Sequence, residues 1–392
     1  MTSSPLPDLD SLLRLLEEHI PAAIELRHYL HAHPQVGGTE YETAARVAAA
    51  MDAPDAPSIA EGRVVRIGAM DGPAIGIRAE LDALPGTETS GVAWASENGA
   101  VHMCGHDVHM AALTAVVTTL RQAGPPVPLV AILQPREELS PGGAVDMLAS
   151  PVLTDHDLRA MLSVHVQPRL PSGTFSASPG TINASSDEFT ITVSGRPGHG
   201  AYPHVARDPI VAAAQVVTAL QHIVSRSTDP MQPTVITVGS IHGGQAPNAI
   251  PETVIMTGTL RAYDADERQR LQDEIRRVAT LTADVHGCTA DVQISHGEPP
   301  LVNDAALSAT ATDWITRTGL TEAPPLRSCG ADDFACYAER YPSLMIFHGV
   351  GTGSDDEPGL HHPGFAPDDE HVRSVAASML AAYLACCELL LD

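Results

Sequence analysis

Five short segments of this sequence hold side chains that bind metals or move protons. They are Arg78-Ala-Glu-Leu-Asp-Ala-Leu-Pro85, His102-Met-Cys-Gly-His-Asp-Val-His109, Gln134-Pro-Arg-Glu-Glu138, Val164-His-Val-Gln-Pro168 and Leu360-His-His-Pro363. Cys104 and His106 set a thiol and an imidazole two residues apart, with Gly105 allowing a tight approach. Glu137 and Glu138 put two carboxylates side by side. Adjacent residues on an extended chain point opposite ways, so one can bind a cation while its neighbour faces a substrate. Like charges so close need a proton or a cation between them. A pair of divalent ions roughly 3.5–4 Å apart would supply that compensation and activate a water. Taken singly, each signal is weak. A Cys-x-His pair is usually structural or accidental, two adjacent glutamates are more often a solvated loop, and His165 in an apolar strand is more often a hydrogen-bonded core residue. The ordered set carries the argument.

The surrounding elements must bring these segments together. Leu9 to Leu30 has helical apolar spacing and stops near His33-Pro34. Val64–Ile67, Ala74–Ile77, Pro128–Leu133 and Met161–Val166 read as strands, and Ala111–Gln122 as a helix. Strands alternating with helices predict an α/β domain with a largely parallel sheet, and such sheets place their sites at strand ends and loops. From Glu188 the pattern changes to strand, helix, strand, strand, helix, strand, ending near Ile294. That is a ferredoxin-like βαββαβ module. The α/β pattern resumes after about Leu301. The expected organisation is a catalytic domain in two parts, residues 1–183 and 298–392, with residues 184–297 inserted as the second domain.

Composition narrows the function classes. The 392 residues carry 22 basic and 48 acidic side chains, a formal charge of −26, and that field repels phosphate backbones. Nucleic acid is excluded as a partner on that ground. Met1 to Asp10 has neither the basic nor the apolar region of a signal peptide. The C-terminal stretch Ala376 to Leu391 reads as a closing amphipathic helix rather than a membrane span. Six cysteines without regular spacing fit a reducing cytoplasm. Only the first few residues and the stretch Met51 to Ala60 are candidates for disorder.

The ordered motifs resemble the M20 metallopeptidase family, in particular the amidohydrolase branch of aminoacylases, hippurate hydrolases and auxin-conjugate hydrolases. The likeness spans nearly the whole chain, from Arg27-His-Tyr-Leu-His-Ala-His-Pro34 to Leu360-His-His-Pro-Gly-Phe365 and Asp369-Glu370. It includes Gly198-His-Gly-Ala-Tyr-Pro-His204, Gly243-Gly-Gln-Ala-Pro-Asn-Ala-Ile-Pro251, Gly258-Thr-Leu-Arg261 and Asp332-Asp-Phe334. The sequence departs from the branch at Glu80, where Asp is usual, at Met103 beside the thiol, at Gln167, and in a shortened stretch from Met51 to Arg66.

The resemblance implies that Cys104, His106, Glu138, His165 and His361 bind two divalent metals, with Cys104 bridging. A thiolate among imidazoles favours zinc; manganese, cobalt and nickel are also compatible. Glu137 would be the general base, and Asp82 would orient His106. His199 would help hold the oxyanion, from its own or a second subunit, while Asn248 and Arg261 would grip a substrate carboxylate. The implied activity is hydrolysis of the amide bond of a small N-acylated amino acid, by an enzyme that is a homodimer through its inserted lid domain. A dipeptidase or carboxypeptidase would use the same machinery. A metal-free binding protein on this scaffold is disfavoured by the intact ligand set.

Overall fold

The computed structural model describes residues 6–354 and 356–391. The first residues, read from sequence as candidates for disorder, fall largely outside that range. The chain forms two compact units. One holds the residues up to Gly180, Val302–Leu326 and the chain from Asp333 onward; the other holds Thr181–Leu301 and Arg327–Asp332. The sequence pattern sets boundaries at 183/184 and 297/298. The contacts place them near 180/181 and 301/302 and return a short segment to the inserted unit.

The first unit is built on an eight-stranded sheet. Its order is Ser58–Ile59, Gly62–Ile67, Leu129–Gln134, Pro73–Glu80, Asp157–Pro171, Ser343–Gly351, Thr174–Ser176, Thr321–Glu322. The four strands from Leu129–Gln134 to Ser343–Gly351 are mutually parallel, and antiparallel pairings flank them. Leu129–Gln134 is buried along its whole length, as a central parallel strand must be when layers cover both its faces. The helices Leu9–Ala32, His106–Ala123, Ala305–Thr316 and Glu370–Leu391 join one continuous apolar core with alternate residues of these strands. Residues 51–60 are turns ending in the edge strand Ser58–Ile59, so that stretch is structured.

Three elements differ from the sequence reading. The helix expected from Ala111 begins at His106, because Gly105 takes a φ of 82° and turns the chain directly into the first turn. The strand expected over 161–166 runs from Asp157 to Pro171. Its pairing with Pro73–Glu80 ends at Arg78/Ser163, so His165 lies inside a strand yet just past the end of that neighbour. The C-terminal helix, Glu370–Leu391, is not amphipathic: every residue from Val375 to Cys387 is buried. By length and composition it is apolar enough to cross a membrane, but 72% of that window is buried inside the protein. It packs on His106–Ala123, Ala305–Thr316 and Asp157–Pro171, which makes it a core helix.

The inserted unit is a ferredoxin-like module. Asp187–Ser194, Pro209–His222, Thr234–Gly243, Thr253–Ala262, Ala265–Val285 and Thr289–His296 follow in the order βαββαβ. The four strands pair antiparallel, and the two helices cover one face through Phe189, Ile191, Val216, Leu220, Leu271 and Ile275. Asp187 ties strand to helix. It accepts from Arg268 Nε at 2.9 Å, from Gln272 Nε2 at 2.9 Å and from the Gly297 N–H at 3.2 Å. Burial alone would push its carboxyl up, but these donors, Arg268 foremost, hold it below its ordinary value. A carboxyl lowered on folding stabilises above its unfolded pKa, about 3.9, and loses that contribution as pH falls through the folded value. Asp187→Asn is therefore expected to cost about 1–3 kcal/mol at pH 7. The gap to wild type should narrow below about pH 4, as read by urea unfolding against pH.

Candidate metal centre

The parallel strands end on one side of the sheet, and the ligand-type residues leave from there. Asp82 follows Pro73–Glu80, Glu137 and Glu138 follow Leu129–Gln134, and His361 lies on the segment after Ser343–Gly351. Cys104 and His106 flank the glycine that starts the helix His106–Ala123. Glu137 and Glu138 occupy a turn, not an extended strand, because Arg136 before them adopts a φ of 55°. Strand alternation therefore does not point the two side chains apart. Both carboxylates face the same cluster, and their oxygens lie with a His106 ring nitrogen in one group within 4.8 Å. Arg136 is held in that conformation by its N–H to Glu40 Oε1 at 2.7 Å and its guanidinium on Glu61 at 3.1 Å. His361 also has a positive φ, 64°, with its N–H donating to the Met103 carbonyl at 2.8 Å. Two non-glycine residues in the left-handed region at one site mark strain the surrounding contacts sustain.

The five expected ligands converge. Cys104 Sγ lies 3.5 Å from His165 Nε2, and His361 Nε2 lies 3.2 Å from Glu138 Oε1. Cys104, His106 and His165 form one group with ligand atoms within 4.8 Å of one another; Cys104, Glu138 and His361 form a second. Cys104 is common to both, as a bridging ligand would be. The imidazoles are oriented by their other nitrogens. His165 Nδ1 donates to the Val166 carbonyl at 2.8 Å. His106 Nδ1 donates to the main-chain carbonyl of Asp82 at 2.8 Å, while the Asp82 carboxylate stands 3.6 Å away and accepts from the Glu138 N–H at 2.9 Å. So Asp82 holds both an imidazole and a carboxylate of the cluster. His106 Nε2 is buried with no hydrogen-bond partner among the described residues. An orphaned ring nitrogen facing a thiol and two carboxylates suits a divalent cation. Of the adjacent pair, His362 accepts from the Gly364 N–H at 3.0 Å.

The electrostatics agree. Burial disfavours charge on His106, but Asp82, Glu80 and Glu138 outweigh it and push its pKa up to about 10. Burial, then Glu138 and Glu137, push the Cys104 thiol well up. The pocket is a concentration of negative charge that calls for cations.

A layer of support was not legible as such from sequence. His109 accepts from the Val166 N–H at 3.0 Å and donates from Nδ1 to Glu80 at 2.9 Å, which fixes its tautomer beside His165. Arg78, wholly buried, bonds Glu80, Gln134 and Asp333. Asp333 also accepts from Gln134 and the Ala144 N–H. Glu80 thus has a built place at this position. The only sequence signal for His109 was its spacing of three from His106, which puts both on one helix face once the helix starts early enough.

In the inserted unit, Gly198–His199 pairs with Ala249–Ile250, and the Gly200 N–H donates to the Asn248 carbonyl at 2.7 Å, so two of the recognised motifs adjoin. His199 is exposed, with Nδ1 accepting from the Ala201 N–H at 3.0 Å. Asn248 is exposed. Arg261, half-buried on Thr253–Ala262, donates to the Leu260 carbonyl at 3.1 Å and to Thr259.

Comparison with known proteins follows the same lines. Residues 76–384 match the sequence profile of Peptidase family M20/M25/M40. The chain belongs to this family. It is 32% identical over 379 residues to the N-acetyl-L-cysteine deacetylase of Bacillus subtilis, covering 92% of this chain and 89% of that one. It is 32% identical over 368 residues to the N-acetyldiaminopimelate deacetylase of Bacillus subtilis, covering 92% and 97%. The crystal structure of the Bacillus subtilis YxeP protein, described as a dinuclear metal binding peptidase from the M20 family, superposes with a TM-score of 0.83. It is 29% identical and covers 95% of this chain and 99% of that one. The resemblance read from the motifs is borne out: this M20 family member is a hydrolase of amide C–N bonds.

Gly105 is the strictest backbone requirement of the centre. A Cβ there would stand 2.4 Å from Val166 Cγ2 at a φ of 82°. Gly105→Ala is expected to destabilise by about 2–4 kcal/mol, from the left-handed conformation plus overpacking. Urea unfolding of the purified variant measures it.

Proposed function

We propose that this protein hydrolyses the amide bond of a small N-acylated amino acid, releasing the free amino acid and a short carboxylic acid. The observation that carries this reading is the convergence of Cys104, His106, Glu138, His165 and His361 on two overlapping groups that share one thiol. These residues would hold two divalent ions, zinc by preference for the thiolate and imidazole donors, with manganese, cobalt or nickel as alternatives. Bound there, such ions would polarise the scissile carbonyl and acidify water.

The chain's own residues would do the rest. Glu137, whose Oε2 lies 3.9 Å from His106 Nε2, would take a proton from the attacking water and return it to the leaving amine. Asp82 keeps the His106 ring and the Glu138 backbone in register. In the inserted domain, His199 would donate to the developing oxyanion. Asn248 and Arg261 would bind the substrate's free carboxylate, for which a guanidinium has the matching fork. The amino acid deacetylases among its relatives favour the acyl reading over a dipeptidase or carboxypeptidase. The reading includes a homodimer through the inserted domain, whose edge strands Thr234–Gly243 and Thr289–His296 each pair on one side only. Free thiols at Cys104, Cys288, Cys329, Cys386 and Cys387 suit a reducing cytoplasm.

Two substitutions test the assignment. Glu137→Gln should lower kcat by about 10²–10⁴-fold while metal content by elemental analysis stays at the wild-type level. Wild-type turnover in this variant would remove the base. Arg261→Ala should raise KM for N-acetyl amino acids by roughly tenfold or more, about 1.4 kcal/mol or above, and leave the KM of their amides nearly unchanged. Equal effects on both would remove the carboxylate clamp. Comparing N-acetyl amino acids with dipeptides in kcat/KM separates the acyl reading from the peptidase one.

A further inference from the structure

The motif that begins at Arg27 has no part in the chemistry described so far, yet its Arg27 and His31 are among the most deeply buried side chains in the protein. Arg27 is fully buried on the helix Leu9–Ala32. Its Nε donates to Asp107 Oδ2 at 2.9 Å, its Nη1 to Asp369 Oδ1 at 2.8 Å, and its Nη2 to the Pro367 carbonyl. Asp107 directly follows His106 in the first turn of its helix. Pro367 and Asp369 close the segment that carries His361, just before the helix Glu370–Leu391. One turn further along, His31 places Nδ1 3.0 Å from the same Asp107 oxygen and Nε2 2.9 Å from Glu88 Oε1. The loop of Glu88 is joined to the His361 segment by the Thr89 N–H, which donates to the Pro363 carbonyl at 2.8 Å. Trp94 covers this cluster, with the Arg27 guanidinium 4.9 Å from its ring centre.

We infer that Arg27 is a positioning residue for the metal centre, holding the segments that carry His106 and His361 at a fixed separation from inside the protein. The inference rests on the ligand set proposed above. Near the centre itself the two segments are joined by the His361 N–H on the Met103 carbonyl, and His361 is a half-exposed side chain in a strained conformation. A planar guanidinium with three acceptors on two segments fixes both distance and angle, which a point charge on a flexible stem does not. Asp107 also needs that cation. Its carboxylate is wholly buried and meets Arg27 Nε at 2.9 Å and His31 Nδ1 at 3.0 Å. Outer partners of this kind set how closely ligands match the geometry a cation requires.

The test is zinc binding to metal-free protein, measured by competition with a chelator, beside thermal unfolding without metal. Arg27→Lys keeps the charge and loses the fork. It is expected to fold and to bind zinc about 10–100-fold more weakly, with most of kcat returning at saturating zinc. Wild-type zinc affinity with only a lowered melting temperature would make Arg27 a structural residue and overturn the inference. If Arg27→Lys does not fold, Asp369→Ala removes one of the two arms to the His361 segment, together with the His28 contact, at a side chain 36% exposed. It should weaken zinc binding in the same sense, and unchanged affinity there overturns the inference equally. Wild-type protein that takes up no zinc would sink the ligand set itself, a result distinct from a zinc-loaded wild type with unaltered variants.

Discussion

Negative charge concentrated at the start of one buried helix is the constraint around which this catalytic domain is organised. Glu80, Asp82 and Asp107 lie wholly or almost wholly buried within a few residues of His106 in space or sequence. Glu137 and Glu138 stand at the open side of the same cluster. Carboxylates withdrawn from water are tolerated only where cations or donors meet them. The fold answers on two levels. Permanent cations sit behind: Arg78 beneath Glu80, and Arg27 with His31 beneath Asp107. In front, the compensation is left to the imidazoles and the two divalent ions proposed for the site.

This division explains why long segments far apart in sequence must be held so closely. Helix Leu9–Ala32 contributes nothing to the ligand set, yet it carries the buried arginine that joins residues 107 and 369. Strand Pro73–Glu80 contributes Arg78 and Glu80 to the layer behind, and Asp82, just past its end, joins the layer in front. His109 links that layer to the strand of His165 through a main-chain N–H. A change in any of these groups reaches the ligands through a short chain of hydrogen bonds. Backbone strain is found at the same place: Arg136 and His361, both left-handed, bracket the two carboxylates and the most exposed imidazole. Packing and ion pairs around them sustain those conformations, which re-aim side chains that a regular strand would have pointed apart.

The fold class was plain in the sequence, because alternating burial and uniform burial leave different residue patterns. The run Leu129–Leu133 announces a strand covered on both faces, and the alternation of Phe189, Ile191 and Val193 announces a sheet covered on one. Element limits were less legible wherever a single residue's conformation decided them. Gly105 made the helix begin at His106 rather than at its first apolar turn, and tertiary cover rather than amphipathic spacing explains Glu370–Leu391. Composition could not distinguish that buried helix from one with a solvent face, because Tyr383 and Glu388 look polar in sequence while Tyr383 is buried.

The sequence by itself determined the chemistry available: one thiol, several imidazoles and paired carboxylates in an order characteristic of a family of amide hydrolases. It could do so because ligand identity is a property of residue type and motif order. Only the tertiary structure decided that Glu137 and Glu138 face one cluster together and that Asp82 reaches His106 through its main chain. It alone disclosed the roles of Arg27, Arg78 and His109. Their partners lie up to hundreds of residues away, and buried charge balance depends on what meets in space, which no local pattern records.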